Sequence, residues 1–276
     1  MADYRIGFKW WALIIAVVFV ISELVCVVCV PERPVACDEK PGKISDMFKA
    51  LFKNDQAMTV VVSIILVYTS LNICGNLVLY FFRFDVGNEG AYSIFAAVAF
   101  AAQVLVMMVI PLLRKRFSKS QLFISGFVIQ IAGFAVILIM AFAKLYTPQS
   151  WYILCLPGIL IYLGYGMLNV IMTIFLSDSV DYGEVMNGTR EESVIFSMQT
   201  FTVKLASGVA VFLAGLVVDW IHLDTAAAVQ TQDTLDALRM WMTIPSVILL
   251  IVGIFVFKRF YKLDDTRMEE IKSKLN

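Results

Sequence analysis

Residues Ser193–His222 read SVIFSMQTFTVKLASGVAVFLAGLVVDWIH, an apolar run carrying one lysine, Lys204, eleven residues in from Ser193. Each helical residue advances about 1.5 Å, so a run of this length crosses the ~30 Å hydrocarbon layer of a bilayer. A charge at such depth costs on the order of 3 kcal/mol, and intramembrane lysines serve transport paths, proton relays or counter-ions. Lys204 is the first residue to explain.

The rest of the chain is built the same way. Of its 276 residues, 60% are hydrophobic and only 16% charged, and the mean hydropathy is +0.83. A water-soluble core of this size has no use for so much apolar surface. Seven spans are expected, near 10–30, 57–82, 91–113, 121–143, 151–177, 194–222 and 238–258, separated by short polar connectors. The expected fold class is an all-α polytopic membrane protein.

Net charge is zero, so the total gives no reason to expect nucleic acid, but its distribution orients the chain. Arg33, Lys40, Lys43, Lys49 and Lys53 lie between the first two spans, and Arg114, Lys115, Arg116 and Lys119 between the third and fourth. Lys258, Arg259, Lys262, Arg267, Lys272 and Lys274 crowd the tail, whereas the alternate loops hold only Arg83, Lys144 and, at a span edge, Arg239. By the positive-inside rule the C-terminus is cytoplasmic and the N-terminus outside. Met1–Trp11 has no small-residue cleavage site after a short apolar core, so no secretory signal is expected there.

Cys26, Cys29, Cys37, Cys74 and Cys155 fall mostly inside spans, and the single histidine, His222, is remote from the Cys26-x-x-Cys29 pair. They read as small apolar side chains, and no metal site is expected. Asn187-Gly188-Thr189 fits a glycosylation sequon but falls in a connector placed inside, so it reads as a turn.

Polar residues within the spans form three stripes at helical spacing. Ser193, Ser197, Thr200, Ser207 and Gly208 share a face with Lys204, with Gln199 beside it. The fifth span carries Tyr162, Tyr165, Gly166, Asn169 and Thr173, and the second carries Tyr68, Asn72 and Asn76. Such residues also bind membrane helices to one another, but three stripes and a lysine point to a shared polar cavity. Glu23 and Gln103 have no assignable partner and read as packing. The densest charge, Asp178, Asp181, Glu184, Arg190, Glu191 and Glu192, sits between two spans, where one arginine among five carboxylates is suited to ion pairs that lock and release helix ends.

The run Ser177-Asp178-Ser179-Val180-Asp181-Tyr182-Gly183-Glu184, followed by Gly188, Arg190, Glu192, Ser193, Ser197-Met198-Gln199-Thr200 and Val203-Lys204, resembles the signature of the glycoside, pentoside and hexuronide:cation symporters of the major facilitator superfamily. Weaker similarity runs through Lys53-Asn54-Asp55, the Asn72 and Tyr80 region and Phe260-Tyr261. That family has twelve spans in two six-helix bundles, and the position of the motif makes this chain similar to helices 6 to 12. The resemblance implies a helix resembling the sixth over 1–34, a cytoplasmic inter-bundle loop over 35–56, the C-terminal six-helix bundle over 57–258 and a cytoplasmic tail over 259–276.

It further implies alternating-access symport of a sugar with Na⁺, H⁺ or Li⁺, without an organic cofactor. Lys204, Gln199, Thr200 and Val203 would stand at the substrate and coupling side, and Asn169 where a family member places an aromatic residue beside the sugar. Asp178, Asp181, Glu184, Arg190 and Glu192 would form the cytoplasmic gate network. The family's cation-binding carboxylates belong to the first five helices, so a separate N-terminal half is an expected partner. Two other classes fit less well: a self-contained seven-helix retinal receptor needs a lysine in its last span, where Met240–Phe257 has none, and an intramembrane enzyme needs more than adjacent Asp178 and Asp181 with a lone His222.

Overall fold

The computed structural model describes residues 2–29, 52–188, 192–227 and 229–275. It divides into two units, Met1–Lys43 and Ile44–Asn276. The first consists of helix α1, Ala2–Cys29, apolar on all sides from Trp10 to Cys29 except for Ser22 and Glu23. A helix without a polar face suits hydrocarbon rather than water.

The second unit contains six long helices: α2 (Asp55–Tyr80), α3 (Ala91–Leu113), α4 (Lys119–Phe142), α5 (Cys155–Asn187), α6 (Glu192–Trp220) and α7 (Gln232–Phe260). A shorter α8, Asp265–Leu275, follows. With α1, seven helices are long and apolar enough to cross a membrane. The described residues are helical with no strand, in line with the expected all-α polytopic class. The expected loop 35–56 falls mostly outside the described residues, and part of the tail 259–276 is the ordered helix α8.

Helix ends follow local chemistry. Asn54 caps α2 by accepting from the Ala57 amide at 2.9 Å, and Ser118 and Gln121 form a reciprocal capping box on α4. Thr231 caps α7. The α5 helix stops at Gly188, whose φ of 74° suits the left-handed cap that glycine adopts freely. The α2 helix ends in a wider turn, Phe81–Asp85, in which the Val86 amide donates to the Phe81 carbonyl.

Packing centres on α5, which lies against α2, α3 and α4, while α2 also meets α6 and α7. Close approach to α5 depends on missing side chains. A Cβ at Gly164 would stand 2.5 Å from the Gly126 carbonyl oxygen of α4, and one at Gly133 would stand 2.7 Å from Ile161. Gly166 meets α3 in the same way, at 2.6 Å from Val106. Small residues substitute for hydrophobic force in lipid, where tight van der Waals packing and interhelical hydrogen bonds hold helices together. Ser70 and Ser246 add a reciprocal clasp between α2 and α7, each hydroxyl donating to the other's carbonyl at 3.1 and 2.8 Å.

The six helices alternate in direction, so the bundle has two chemically distinct ends. One gathers Lys53, Arg114, Lys119 and the tail cations and is called the basic end. The other, the far end, holds Asp85, Tyr146 and Arg239. Each has an aromatic plug: Phe123, Phe127, Phe175, Phe257 and Tyr261 at the basic end, and Phe81, Phe82, Phe95 and Tyr146 at the far end.

Candidate substrate path and gate

The three polar stripes meet in the middle of the bundle. Asn169 Nδ2 of α5 donates to the Tyr68 hydroxyl of α2 at 2.6 Å, and the Tyr68 and Tyr165 rings meet edge-on at 5.4 Å. One turn toward the basic end, Gln199 Nε2 of α6 reaches Thr173 Oγ1 of α5 at 3.4 Å. The stripe on the fifth span divides in two: Asn169 and Thr173 face the polar layer, whereas Gly166 packs against α3. Asn72 and Asn76 each donate one turn back along α2, to Tyr68 and Asn72 carbonyls at 2.7 Å, which leaves their amide oxygens as acceptors.

On α6 the wet and dry faces separate cleanly. Ser193, Ser197, Thr200, Lys204 and Gly208 are exposed and Val203 is half-buried, while Thr202, Ala206, Ala210 and Ala214 are buried. Thr200 donates to the Phe196 carbonyl. No carboxylate among the described residues pairs with Lys204. Its side chain lies on the exposed face of α6, five residues on from Gln199, where an ammonium can bind a polar substrate or a carboxylate.

At the basic end the acidic cluster lies on helix rather than on a connector. The sequence places the fifth span's end at residue 177, but α5 continues to Asn187 and carries Asp178, Asp181 and Glu184 on its last three turns. Polar residues can prolong a spanning helix past the hydrocarbon because its backbone bonds are already satisfied. Asp178 is 5% exposed and forms a buried salt bridge with Lys119 at the start of α4. Lys119 also reaches Asp265 of α8 at 3.4 Å, and Arg114 holds the same carboxylate at 3.3 Å. The expected cation of this network, Arg190, lies outside the described residues, as does Glu191. Glu192 is exposed at the first turn of α6.

Around that pair the helix ends are laced together. Asn54 Nδ2 donates to the Ser179 carbonyl at 2.8 Å, and the Lys262 amide donates to Gln56 Oε1 at 2.8 Å. The Tyr261 hydroxyl is buried without a hydrogen-bond partner among the described residues, and burial together with the Asp178 and Asp265 charges raises its pKa. Burial alone would raise the Asp265 pKa, but the Arg114 and Lys119 charges outweigh it and hold the carboxyl below its ordinary range.

The far end has a network that sequence reasoning missed. Arg239 binds Asp85 through Nε at 2.9 Å and Nη2 at 2.5 Å, and Asp236 through Nη1 at 2.7 Å. Tyr146 donates to Asp85 at 2.5 Å, and burial and the Asp85 carboxylate raise its pKa. One signal was legible: Asp85 and Arg239 are opposite charges at span edges on the same side of the membrane. Among the described residues no group of three or more His, Cys, Asp or Glu side chains could hold a metal.

Long apolar helices around a central polar layer, tied at both ends by buried ion pairs, define a polytopic membrane bundle. The chain belongs to the MFS/sugar transport protein family, which it matches over residues 3–265. It is 25% identical over 233 residues to an uncharacterized symporter of Bacillus subtilis (strain 168), covering 84% of this chain and 49% of that protein. It is 24% identical over 234 residues to a raffinose carrier protein of Pediococcus pentosaceus, covering 84% of this chain and 35% of the relative. With an isoprimeverose transporter of Lactiplantibacillus pentosus it shares 25% over 261 residues, 94% of this chain and 52% of the relative. The chain thus spans about half the length, or less, of these curated relatives. Their names are those of carriers, not enzymes.

Proposed function

We propose that this chain supplies the C-terminal helices of a sugar:cation symporter that works by alternating access. The observation carrying this reading is the meeting of Tyr68, Asn169, Thr173 and Gln199 in one layer, beside an open face bearing Lys204. Amide, hydroxyl and ammonium groups around a membrane midplane can replace the water shell of a polyhydroxylated substrate. Lys204, Gln199, Thr200, Val203 and Asn169 form this bundle's side of the site. A facing bundle, on a longer chain or a separate N-terminal half, supplies the opposite wall and the carboxylates that bind Na⁺, H⁺ or Li⁺ and neutralise Lys204.

The Lys119–Asp178 pair, which shares Lys119 with Asp265, belongs to the cytoplasmic gate network, to which Asp181, Glu184, Glu192 and, outside the described residues, Arg190 are also assigned. Two packings of these helix ends differing by a few kcal/mol suffice for a rocking transition. On this reading the protein resides in the cell membrane with its C-terminus in the cytoplasm, the orientation that the loop cations favour. The test is uptake of labelled raffinose, isoprimeverose and lactose into proteoliposomes holding this chain with a matching five-helix N-terminal piece. Cation-dependent uptake that needs both pieces supports the reading; saturable uptake by the 276-residue chain alone refutes the half-transporter arrangement.

A further inference from the structure

A depression with an apolar wall and a few polar groups lies between α2 and α6, nearer the far end than the layer just described. It has a volume of about 540 Å³ and is lined by Asn76 and Tyr80 of α2 and by Phe212, Gly215 and Asp219 of α6, among others. That volume falls within the range of small-molecule sites, roughly 300–1,000 Å³. Its floor is open because of Gly215, where a Cβ would meet nothing within 4 Å.

The depression continues the central stripes. Lys204, Gly208, Gly215 and Asp219 recur at helical spacing along one exposed face of α6, and Tyr68, Asn72, Asn76 and Tyr80 recur at four-residue steps along α2. At about 1.5 Å per residue, Gly215 lies about 16 Å from Lys204 along the helix, too far for one monosaccharide to touch both. Gly208, like Gly215, leaves open space on the same face. Two parallel stripes with unfilled glycines between them make a track.

The lining chemistry selects the ligand. Asp219 offers a carboxylate and Tyr80 a phenol, neither with a side-chain partner among the described residues, and Asn76 keeps its amide oxygen as an acceptor. Acceptors match the hydroxyl donors of a sugar, and the exposed Phe212 ring supplies an apolar face for its C–H groups. No lysine or arginine lines the depression, so an anionic ligand would face an uncompensated carboxylate.

We infer that Asn76, Tyr80, Phe212, Gly215 and Asp219 form an outer sugar subsite for a neutral glycoside or oligosaccharide, occupied on the way to the central layer. The inference rests on the symport reading for its substrate class, but the subsite lies wholly within this chain and is testable without transport. The experiment is saturation-transfer NMR with lactose and raffinose on the 276-residue chain in lipid nanodiscs. Wild type should bind at least one sugar, with Gly215→Trp and Asp219→Asn each weakening binding at least tenfold. Gly75→Ala, which places a methyl in open space on α2 outside the depression, should keep binding within threefold and serves as the control for substitution in the bundle.

Binding that is lost with Lys204→Leu but untouched by Gly215→Trp and Asp219→Asn overturns the outer subsite and leaves the symport reading intact. Absence of binding to wild type also overturns the subsite, because every residue it needs is present. Cation-dependent uptake by the two-piece transporter then decides the symport reading separately.

Discussion

Arg239 grips Asp85 with two guanidinium nitrogens, Nε at 2.9 Å and Nη2 at 2.5 Å, where both side chains are 3% exposed. The contact joins the first turns of α7 to the end of α2, and Tyr146 closes it from the α4–α5 connection. Removing one member of a buried pair leaves the other charge uncompensated, at a cost of about 3–5 kcal/mol. Arg239→Leu should therefore lower thermal stability in detergent sharply, and the double change with Asp85→Leu should regain much of the loss. Equal melting of wild type and the single variant would mean that the pair is not buried in the folded protein.

The seam between α4 and α5 admits no side chain at Gly164, where a Cβ would collide with the Gly126 carbonyl oxygen and the Gln130 backbone. Gly164→Val should force the helices apart and destabilise the bundle by about 1–3 kcal/mol, the usual range for overpacking. Gly75→Val, which points into open space on α2, serves as the control. Guanidinium or detergent-titration unfolding of both variants separates a packing defect from a general intolerance of valine.

Asp265 ties α8 to Arg114 and Lys119, and its pKa is held below the ordinary carboxylate value. A lowered folded-state pKa means that the contact stabilises fully above the unfolded value, about 3.9, and is lost as pH falls through the folded one. With spin labels at Lys115 and Ser273 in a cysteine-free background, the distance should stay fixed from neutral pH to about 5 and spread as the medium becomes more acidic than 3.9. Asp265→Asn should show the spread distribution at neutral pH. A distance independent of both pH and Asp265 would leave α8 held only by Leu263, Met268 and Ile271 against Tyr182, Val185 and Tyr261.

Much of the fold was legible because hydrocarbon imposes one strong rule: a spanning helix must be long and apolar. The seven spans follow from it, and so do the stripes that meet at Tyr68–Asn169 and Thr173–Gln199, since polar side chains inside a span need a reason. Helix ends were less legible. The sequence reads Asp178, Asp181 and Glu184 as a connector because hydropathy falls at Ser177, yet the backbone continues to Asn187. Pairings across the bundle were barely legible: Lys119 and Asp178 are 59 residues apart and Asp85 and Arg239 154, so beyond the opposite signs of Asp85 and Arg239 at span edges on one side, nothing local distinguishes these residues from solvated loop charges. The helix α8 was hidden for a similar reason, because its apolar residues are few and their partner is the end of α5.

If the Lys119–Asp178 pair is the gate proposed above, it makes a kinetic prediction. Lys119 is shared by Asp178 of α5 and Asp265 of α8, so neutralising it should loosen three helix ends at once. In the complete transporter, Lys119→Ala should slow sugar uptake severalfold while leaving sugar binding within a few-fold, because the pair lies at the basic end, away from Tyr68 and Asn169. The charge exchange Lys119→Asp with Asp178→Lys should restore part of the rate. If Lys119→Ala transports as fast as wild type, the pair is structural only.

Lys204 carries the last prediction, because it stands on the exposed face of α6 with no carboxylate paired to it among the described residues. Replacing it with leucine removes no ion pair among the described residues, so Lys204→Leu should leave the chain's melting temperature unchanged or slightly raised, in contrast to Arg239→Leu. In a two-bundle transporter of the kind proposed above, the same change should abolish cation-coupled uptake, because carboxylates on the facing bundle would lose their counter-charge. Asn169→Ala removes the 2.6 Å bond to Tyr68 and should raise the sugar KM more than it lowers kcat. A destabilising Lys204→Leu would show that the ammonium is satisfied within this chain, and retained coupled uptake would remove it from the transport path.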